Sequence, residues 1–318
     1  MTVVVAVVGP TATGKSDLGV SLAEHLAGEV VNADALQLYR GMDIGTAKLT
    51  LAERRGIRHH QLDVLDPHED ATVAAYQQGA RADLATIADR GRRAVVVGGS
   101  GLYVRALLDR MEFPGTDPAV RAALEQRVDV EGSRALHAEL ARLDPTAAEG
   151  IGPRNARRVV RALEVIALTG RPYSANLPGH EHVRPTVQLG LDCDRAVLDE
   201  RVTVRVDRMW AAGLVDEVRA LAAAGIGRTA SRAVGYAEVL AMLRGEITEQ
   251  AAREQVVAGT RRLARKQMGW FGRDPRVHWL DSRDPDLLDR ALALVAAADA
   301  GTLLPATEDP APRRSLGS

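Results

Sequence analysis

The sequence predicts an α/β fold, a parallel sheet covered by helices and interrupted by an all-helical insertion. Three observations carry that expectation. A β-branched apolar run opens the chain and leads into a glycine-rich turn. Similar runs then alternate with segments of helical period. From Pro114 to Pro185 that alternation stops, and helical segments separated by Gly-Ser, Asp-Pro and Gly-Pro breaks replace it.

Thr2–Val8 has the continuous apolar pattern of a strand buried on both faces of a parallel sheet. After "GPTATGKS", Leu18, Leu22 and Leu26 recur at helical spacing and Gly28 stops the helix. "EVVNAD" and "RRAVVVGGSG" read as further strands, with the helical "TVAAYQQGARADLATIADRG" between them. "TVQLGLDC" restores the strand pattern at Thr186, and more helices follow. The expected organisation is a catalytic α/β core over 1–113 and 186–300, with a helical insertion over 114–185. A Pro-rich polar end over 301–318 has the composition of a disordered tail.

Composition excludes several classes. No run approaches the roughly 18 consecutive apolar residues of a membrane span. No basic segment precedes the first apolar run, so it does not read as a signal peptide. The single cysteine, Cys193, excludes an internal disulfide framework and a cysteine-based zinc site. A cytoplasmic monomer is the expected state. Net charge is −1, but the bases are almost all arginine; the three lysines are Lys15, Lys48 and Lys266. A compact ammonium suits sites where a planar guanidinium fits poorly, so each lysine points to a motif.

Gly9, Pro10, Thr11, Ala12, Thr13, Gly14, Lys15 and Ser16 match G-x-x-x-x-G-K-[ST], between a buried strand and a helix as that motif requires. Its glycines let backbone N–H groups surround an anion at a helix N-terminus. Lys15 adds a point charge, and the Ser16 hydroxyl can ligate Mg2+. The motif specifies a chelated polyphosphate and predicts a core like that of the P-loop NTPases. Many P-loop hydrolases hold the metal with an acid after a second apolar strand. Here "AVVV" runs into "GGSG", and Asp192 and Asp281 are the conceivable substitutes.

Asp34 follows the second strand. Ligands of open α/β sheets bind at the carboxyl ends of the strands, so Asp34 should share a crevice with the phosphate loop. A carboxylate there serves either as a general base or as an ordinary turn cap.

"GPTATGKS", "NADALQLYRGMDIGTAK", "GGSGLYVRAL", "RNARRVVRALEV", "SRAVGYAEV" and "TRRLARKQMGWF" occur in the order seen in the tRNA dimethylallyltransferases, or tRNA isopentenyltransferases. The resemblance runs from about Val4 to Phe271, and "YRGMDIGTAK" is its most specific element. It implies transfer of a dimethylallyl group from dimethylallyl diphosphate to N6 of the adenosine 3′ of the anticodon, in tRNAs reading codons that begin with U. Gly9–Ser16, Arg205 and Mg2+ would then hold the diphosphate as a leaving group, and Asp34 would accept the N6 proton. Ser100 would lie beside the reacting atoms. The resemblance also implies contact of the tRNA anticodon stem-loop with Asp34, Ala35, Leu36, Gln37, Thr46, Lys48, Ser100, Arg121, Arg157, Arg158 and Arg161. Many relatives have serine where Ala35 stands and threonine where Ser100 stands.

Arg154, Arg157, Arg158 and Arg161 fall at i, i+3, i+4 and i+7, which on a helix makes one basic face able to meet a polyanion. Partial pairing with Glu164 is the plainer alternative. Arg261, Arg262, Arg265 and Lys266 form a second stripe ending at Trp270 and Phe271, residues more often found in cores than on RNA. Arg201 and Arg208, flanking Arg205, read as surface. His59-His60 and His180-x-His182 lack a carboxylate or cysteine at ligand spacing and read as structural. The rival function is an ATP-dependent small-molecule kinase, which would need no large helical insertion with a basic face. A nucleotide-switched RNA-binding module would leave Asp34 and Ser100 without roles.

Overall fold

The computed structural model describes residues 2–176 and 179–306. The chain divides into two compact units, one of residues Asp109–Glu181, the other formed by the segments up to Leu108 and from His182. These divisions fall a few residues before the 113/114 and 185/186 junctions expected from composition. Backbone pairing explains the shift: Val183 N donates to the Leu108 carbonyl, and Arg110 N to the Glu181 carbonyl.

The larger unit begins with β1 (Val4–Val8), α1 (Lys15–His25), β2 (Gly28–Asn32) and β3 (His59–His60). It continues through α2 (Val73–Asp89), β4 (Arg93–Val97) and α3 (Gly101–Leu108). The smaller unit holds α4 (Pro118–Glu131), α5 (Ser133–Leu143), α6 (Pro145–Gly150) and α7 (Ala156–Thr169). The larger unit resumes with β5 (Thr186–Asp192), α8 (Arg195–Ala211), α9 (Leu214–Ala224) and α10 (Tyr236–Leu243). It closes with α11 (Glu249–Phe271), β6 (Val277–Asp281) and α12 (Leu287–Ala300).

The sheet order is β3-β2-β4-β1-β5-β6, parallel at every pairing. Every residue of β1, β2 and β4 is buried, because period-2 side chains of each strand meet helices on both faces. Val4, Ala6 and Val8 pack with Leu84, Ile87 and Leu107. Val5 and Val7 face the opposite way, with Leu18, Leu22 and Val295. Two strands escape pattern reading. β3 spans two residues, too short for a period, and β6 follows the register of β5, with Leu191 opposite Leu280 and Asp192 opposite Asp281. A further cluster joins Tyr39 and Met42 of the long loop after β2 to Met209, Trp210, Leu214 and Tyr236 of the later helices.

The helical unit has its own core of Leu124, Leu136, Leu140, Val159 and Leu163. Its breaks are helix starts. Asp117 precedes Pro118 and accepts from Ala119 N and Val120 N, Asp144 precedes Pro145 and accepts from Ala147 N, and Asn155 accepts from Arg158 N. At its far end the chain leaves α12 through Gly301, in the left-handed conformation. Of the expected tail, residues 307–318 lie outside the described residues.

Candidate active site

The loop after β1 reaches its shape through backbone that few residues adopt. Gly9 has φ +129°, and a Cβ there would lie 2.7 Å from the Leu191 carbonyl of β5. Gly14 takes the left-handed conformation immediately before α1. Ala12, without a glycine's freedom, is also left-handed. Within the loop Thr13 Oγ1 and Lys15 Nζ both donate to the Pro10 carbonyl, at 2.8 and 2.5 Å. The N–H groups of the first turn of α1 point at the same space.

A cavity of about 1170 Å3 opens over this loop. It collects the ends of β2 and β4, the loop after β2, and one face of α8. Asp34 enters it from β2. Its Oδ1 accepts from Leu36 N at 3.0 Å, while Asn32 Oδ1 accepts from Asp34 N at 3.0 Å. Asp34 is therefore a turn cap and also a carboxylate facing the phosphate loop; the two readings of the sequence are compatible. Ser100, at the end of β4, starts α3, and its Oγ accepts from Ala35 N at 3.2 Å. That bond ties the β2 and β4 loops together.

Arg205 projects from α8 to the same place and donates to the Thr46 carbonyl at 3.4 Å. Burial lowers its pKa, and the Asp34 charge opposes that shift. Lys15 is pushed down to about 7, first by burial and then by the Arg205 charge, with Asp34 pulling the other way. The mutual influence places Lys15, Arg205 and Asp34 within one electrostatic field. The site thus holds two cations on the anion side and a carboxylate beside them.

Several residues expected at an RNA surface are engaged inside the protein. Lys48 is the clearest correction: its side chain is 2% exposed, and Nζ donates to Asp43 Oδ1, Asp63 Oδ1 and the Tyr39 carbonyl at 2.6, 2.6 and 2.9 Å. Those bonds use all three of its donors and pin the loop instead. The Thr46 hydroxyl is likewise turned inward to the Met42 carbonyl, and its own carbonyl accepts from Gln37 Nε2 and Arg205. In the helical unit, Arg121 and Arg161 both pair with Glu164, which is 0% exposed, at 2.6 and 2.8 Å. Arg161 also donates to the Gly115 and Pro114 carbonyls. A buried carboxylate needs cations more than the surface does, so the alternative with Glu164 holds for Arg161, and Arg121 pairs with the same acid, which the resemblance did not imply. Arg157 and Arg158 remain exposed, and Arg154 precedes α7 instead of lying on it.

Other residues have functions at the site that spacing did not reveal. Arg208 is exposed and Arg201 half-buried, in keeping with the surface expectation, and both also line the cavity with Arg205. Glu217 accepts from Asp43 N, Ile44 N and Gly45 N, and from the Tyr236 hydroxyl at 2.6 Å. Gly45 lies so close to Tyr236 that a Cβ would be 2.5 Å from its ring. Gln267 of α11 accepts from Thr11 N at 2.8 Å. Phe271 is core as expected, but its neighbour Trp270 is 39% exposed and lies against Gly101. His60 bonds Glu29 and Asp83, in keeping with a structural reading of that pair.

Residues 37–274 match the family described as IPP transferase. A tRNA dimethylallyltransferase of Thermobifida fusca is 61% identical over 302 residues, covering 93% of this chain and 95% of that protein. The crystal structure of a tRNA isopentenylpyrophosphate transferase from Bacillus halodurans is 40% identical, with a TM-score of 0.69, over 95% of this chain and 97% of that one. A eukaryotic dimethylallyltransferase captured acting on tRNA is 25% identical, with a TM-score of 0.82, over 95% of this chain and 80% of that one. Fold, loop geometry and likeness over nearly the whole length agree, and the chain belongs to the IPP transferase family.

Proposed function

We propose that this chain is a tRNA dimethylallyltransferase, moving the dimethylallyl group of dimethylallyl diphosphate to N6 of the adenosine 3′ of the anticodon. The tRNAs are those reading codons that begin with U. The observation that carries this reading is the meeting of Asp34 with Lys15 and Arg205 around one cavity, with Ser100 tied to the Asp34 loop through Ala35 N. Adenine N6 is a poor nucleophile because its lone pair is delocalised into the ring. Asp34 takes the proton that N6 loses as the N6–C1 bond forms. The C1–O bond breaks with its electron pair leaving on diphosphate, whose charge Lys15 and Arg205 disperse. Ser100 orients the loop carrying Asp34 through Ala35. The target base reaches this cavity by leaving the anticodon-loop stack.

The donor set fits Mg2+ held mainly by substrate. Ser16 offers one hydroxyl at the start of α1, and no group of three acidic, histidine or cysteine side chains is arranged to hold a metal ion among the described residues. Magnesium commonly keeps several waters and binds through one or two protein groups plus phosphate oxygens. When bound there it would supply positive charge to the diphosphate. Exposed Arg157 and Arg158 on α7 are the side chains best placed to meet tRNA phosphates.

The test is direct. Protein, Mg2+, radiolabelled dimethylallyl diphosphate and unmodified tRNA should yield labelled tRNA; ATP turnover with no label in RNA would refute the reading and favour the kinase. Asp34→Asn keeps the acceptor for Leu36 N and removes the base. It should slow single-turnover transfer by roughly 10²–10⁴-fold with diphosphate affinity preserved. Lost affinity instead would make Asp34 a binding or structural group.

A further inference from the structure

Gln267 is buried, at 8% exposure, yet it lines the cavity over the phosphate loop. Its amide orientation is fixed chemically. Thr11 N is a donor, so the atom 2.8 Å from it must be the carbonyl oxygen Oε1. The NH2 end therefore points the other way, to the turn after β4. A Cβ on Gly99 would lie 2.4 Å from Nε2, and three residues along α11 Trp270 presses on Gly101 in the same manner. Glycine at both positions lets α11 approach this closely, bringing the amide between the phosphate loop and the Ser100 turn.

Nε2 makes no hydrogen bond to any described residue, and it is not among the sealed polar atoms left without partners, which are Arg93 Nη1, Trp210 Nε1, Arg261 Nε and Trp279 Nε1. A donor that is unpaired but not sealed, on a side chain this buried, opens on the cavity. No described side chain or backbone group accepts from it, which leaves it free to donate to water or to a ligand entering the cavity.

We infer that Gln267 is a further substrate-contacting residue, its Nε2 donating to an anionic oxygen of the diphosphate held on the phosphate loop. This rests on the transferase reading for its ligand. Oε1 anchors the amide on the loop and Nε2 adds a neutral donor from the β4 side. Charge building on the diphosphate as the C1–O bond breaks strengthens that hydrogen bond.

Gln267→Glu separates anchoring from donation. It keeps an acceptor for Thr11 N and replaces the donor with a second acceptor. Calorimetric titration of the full chain with inorganic diphosphate and Mg2+ should give affinity roughly 100-fold weaker for Gln267→Glu, and about tenfold weaker for the uncharged Gln267→Met. Near-native affinity in Gln267→Glu would reduce the residue to a loop anchor. Near-native affinity in Gln267→Met would assign any loss in the acidic variant to repulsion alone. Either result overturns the inference. If the variants do not fold, the side-chain amide signals of glutamine in the 15N-labelled native protein decide. One should shift on adding Mg2+-diphosphate, and an unchanged set refutes the contact. Because these readouts use inorganic diphosphate, wild-type binding without label transfer to tRNA would fault the transferase reading and leave this assignment standing.

Discussion

Lys15 shows how one residue sets the pH response of the site. Its pKa in the folded protein is about 7, well below the ordinary lysine value, chiefly because burial disfavours the ammonium and the Arg205 charge adds to that. An anion on the loop favours the ammonium, so binding raises the pKa again. The sign follows from linkage: between the free and bound pKa values, binding takes up a proton and affinity falls as pH rises. At roughly pH 8 most free Lys15 is neutral, and diphosphate binding should absorb up to about one proton. Titrations in buffers of different ionisation enthalpy measure that uptake. Lys15→Arg, which stays protonated, should abolish most of it. Equal uptake in both proteins would place the titrating group elsewhere.

At the scale of elements, the loop between β2 and β3 depends on a helix far along the chain. The carboxylate of Glu217, in α9, gathers three consecutive backbone N–H groups, while the Tyr236 hydroxyl of α10 braces it. The same loop carries the Thr46 carbonyl that meets Arg205. Glu217→Gln should therefore weaken diphosphate binding through Arg205 and accelerate amide exchange over residues 43–48. Tyr236→Phe removes one charge-assisted bond, and should lower stability by about 1.5–3 kcal/mol with a smaller effect on binding. Denaturant melts and exchange rates check both; unchanged exchange in Glu217→Gln would deny the clamp. This network also marks where sequence reading stops. "YRGMDIGTAK" identified the loop, and strand pattern located β1, β2, β4 and β5. The motif could not reveal that Lys48 faces inward: Tyr39 and Asp43 lie within it, but their closing on Lys48 together with Asp63, and the loop's anchor Glu217, follow from tertiary folding. Gln267 escaped for the same reason: its meaning lies in Thr11, 256 residues earlier.

Across the whole molecule, Arg121, Arg161, Arg157 and Arg158 fall into two environments that composition cannot separate, some neutralising a buried acid and others standing exposed. Arg121 and Arg161 neutralise Glu164 in the core of the helical unit. Burial pushes the Glu164 carboxyl up, but hydrogen bonds from the two guanidiniums outweigh it and hold the pKa below the usual range. A depressed carboxylate contributes stability above its unfolded pKa and loses it as pH falls through the folded one. Replacing both arginines by alanine should cost about 3–5 kcal/mol near neutral pH, and the cost should shrink in acid as Glu164 protonates. Arg157 and Arg158 pair with no such acid among the described residues and stand exposed on α7. Alanine at both should leave the melting temperature and diphosphate affinity unchanged, raise KM for tRNA by about tenfold, and flatten the salt dependence of tRNA binding by roughly two phosphate contacts. Filter binding across a salt series, run beside thermal melts of both double variants, reads the two classes at once. An unaltered salt slope in the Arg157/Arg158 variant would remove α7 from the RNA surface, whereas a lowered melting temperature would return those arginines to the structural class.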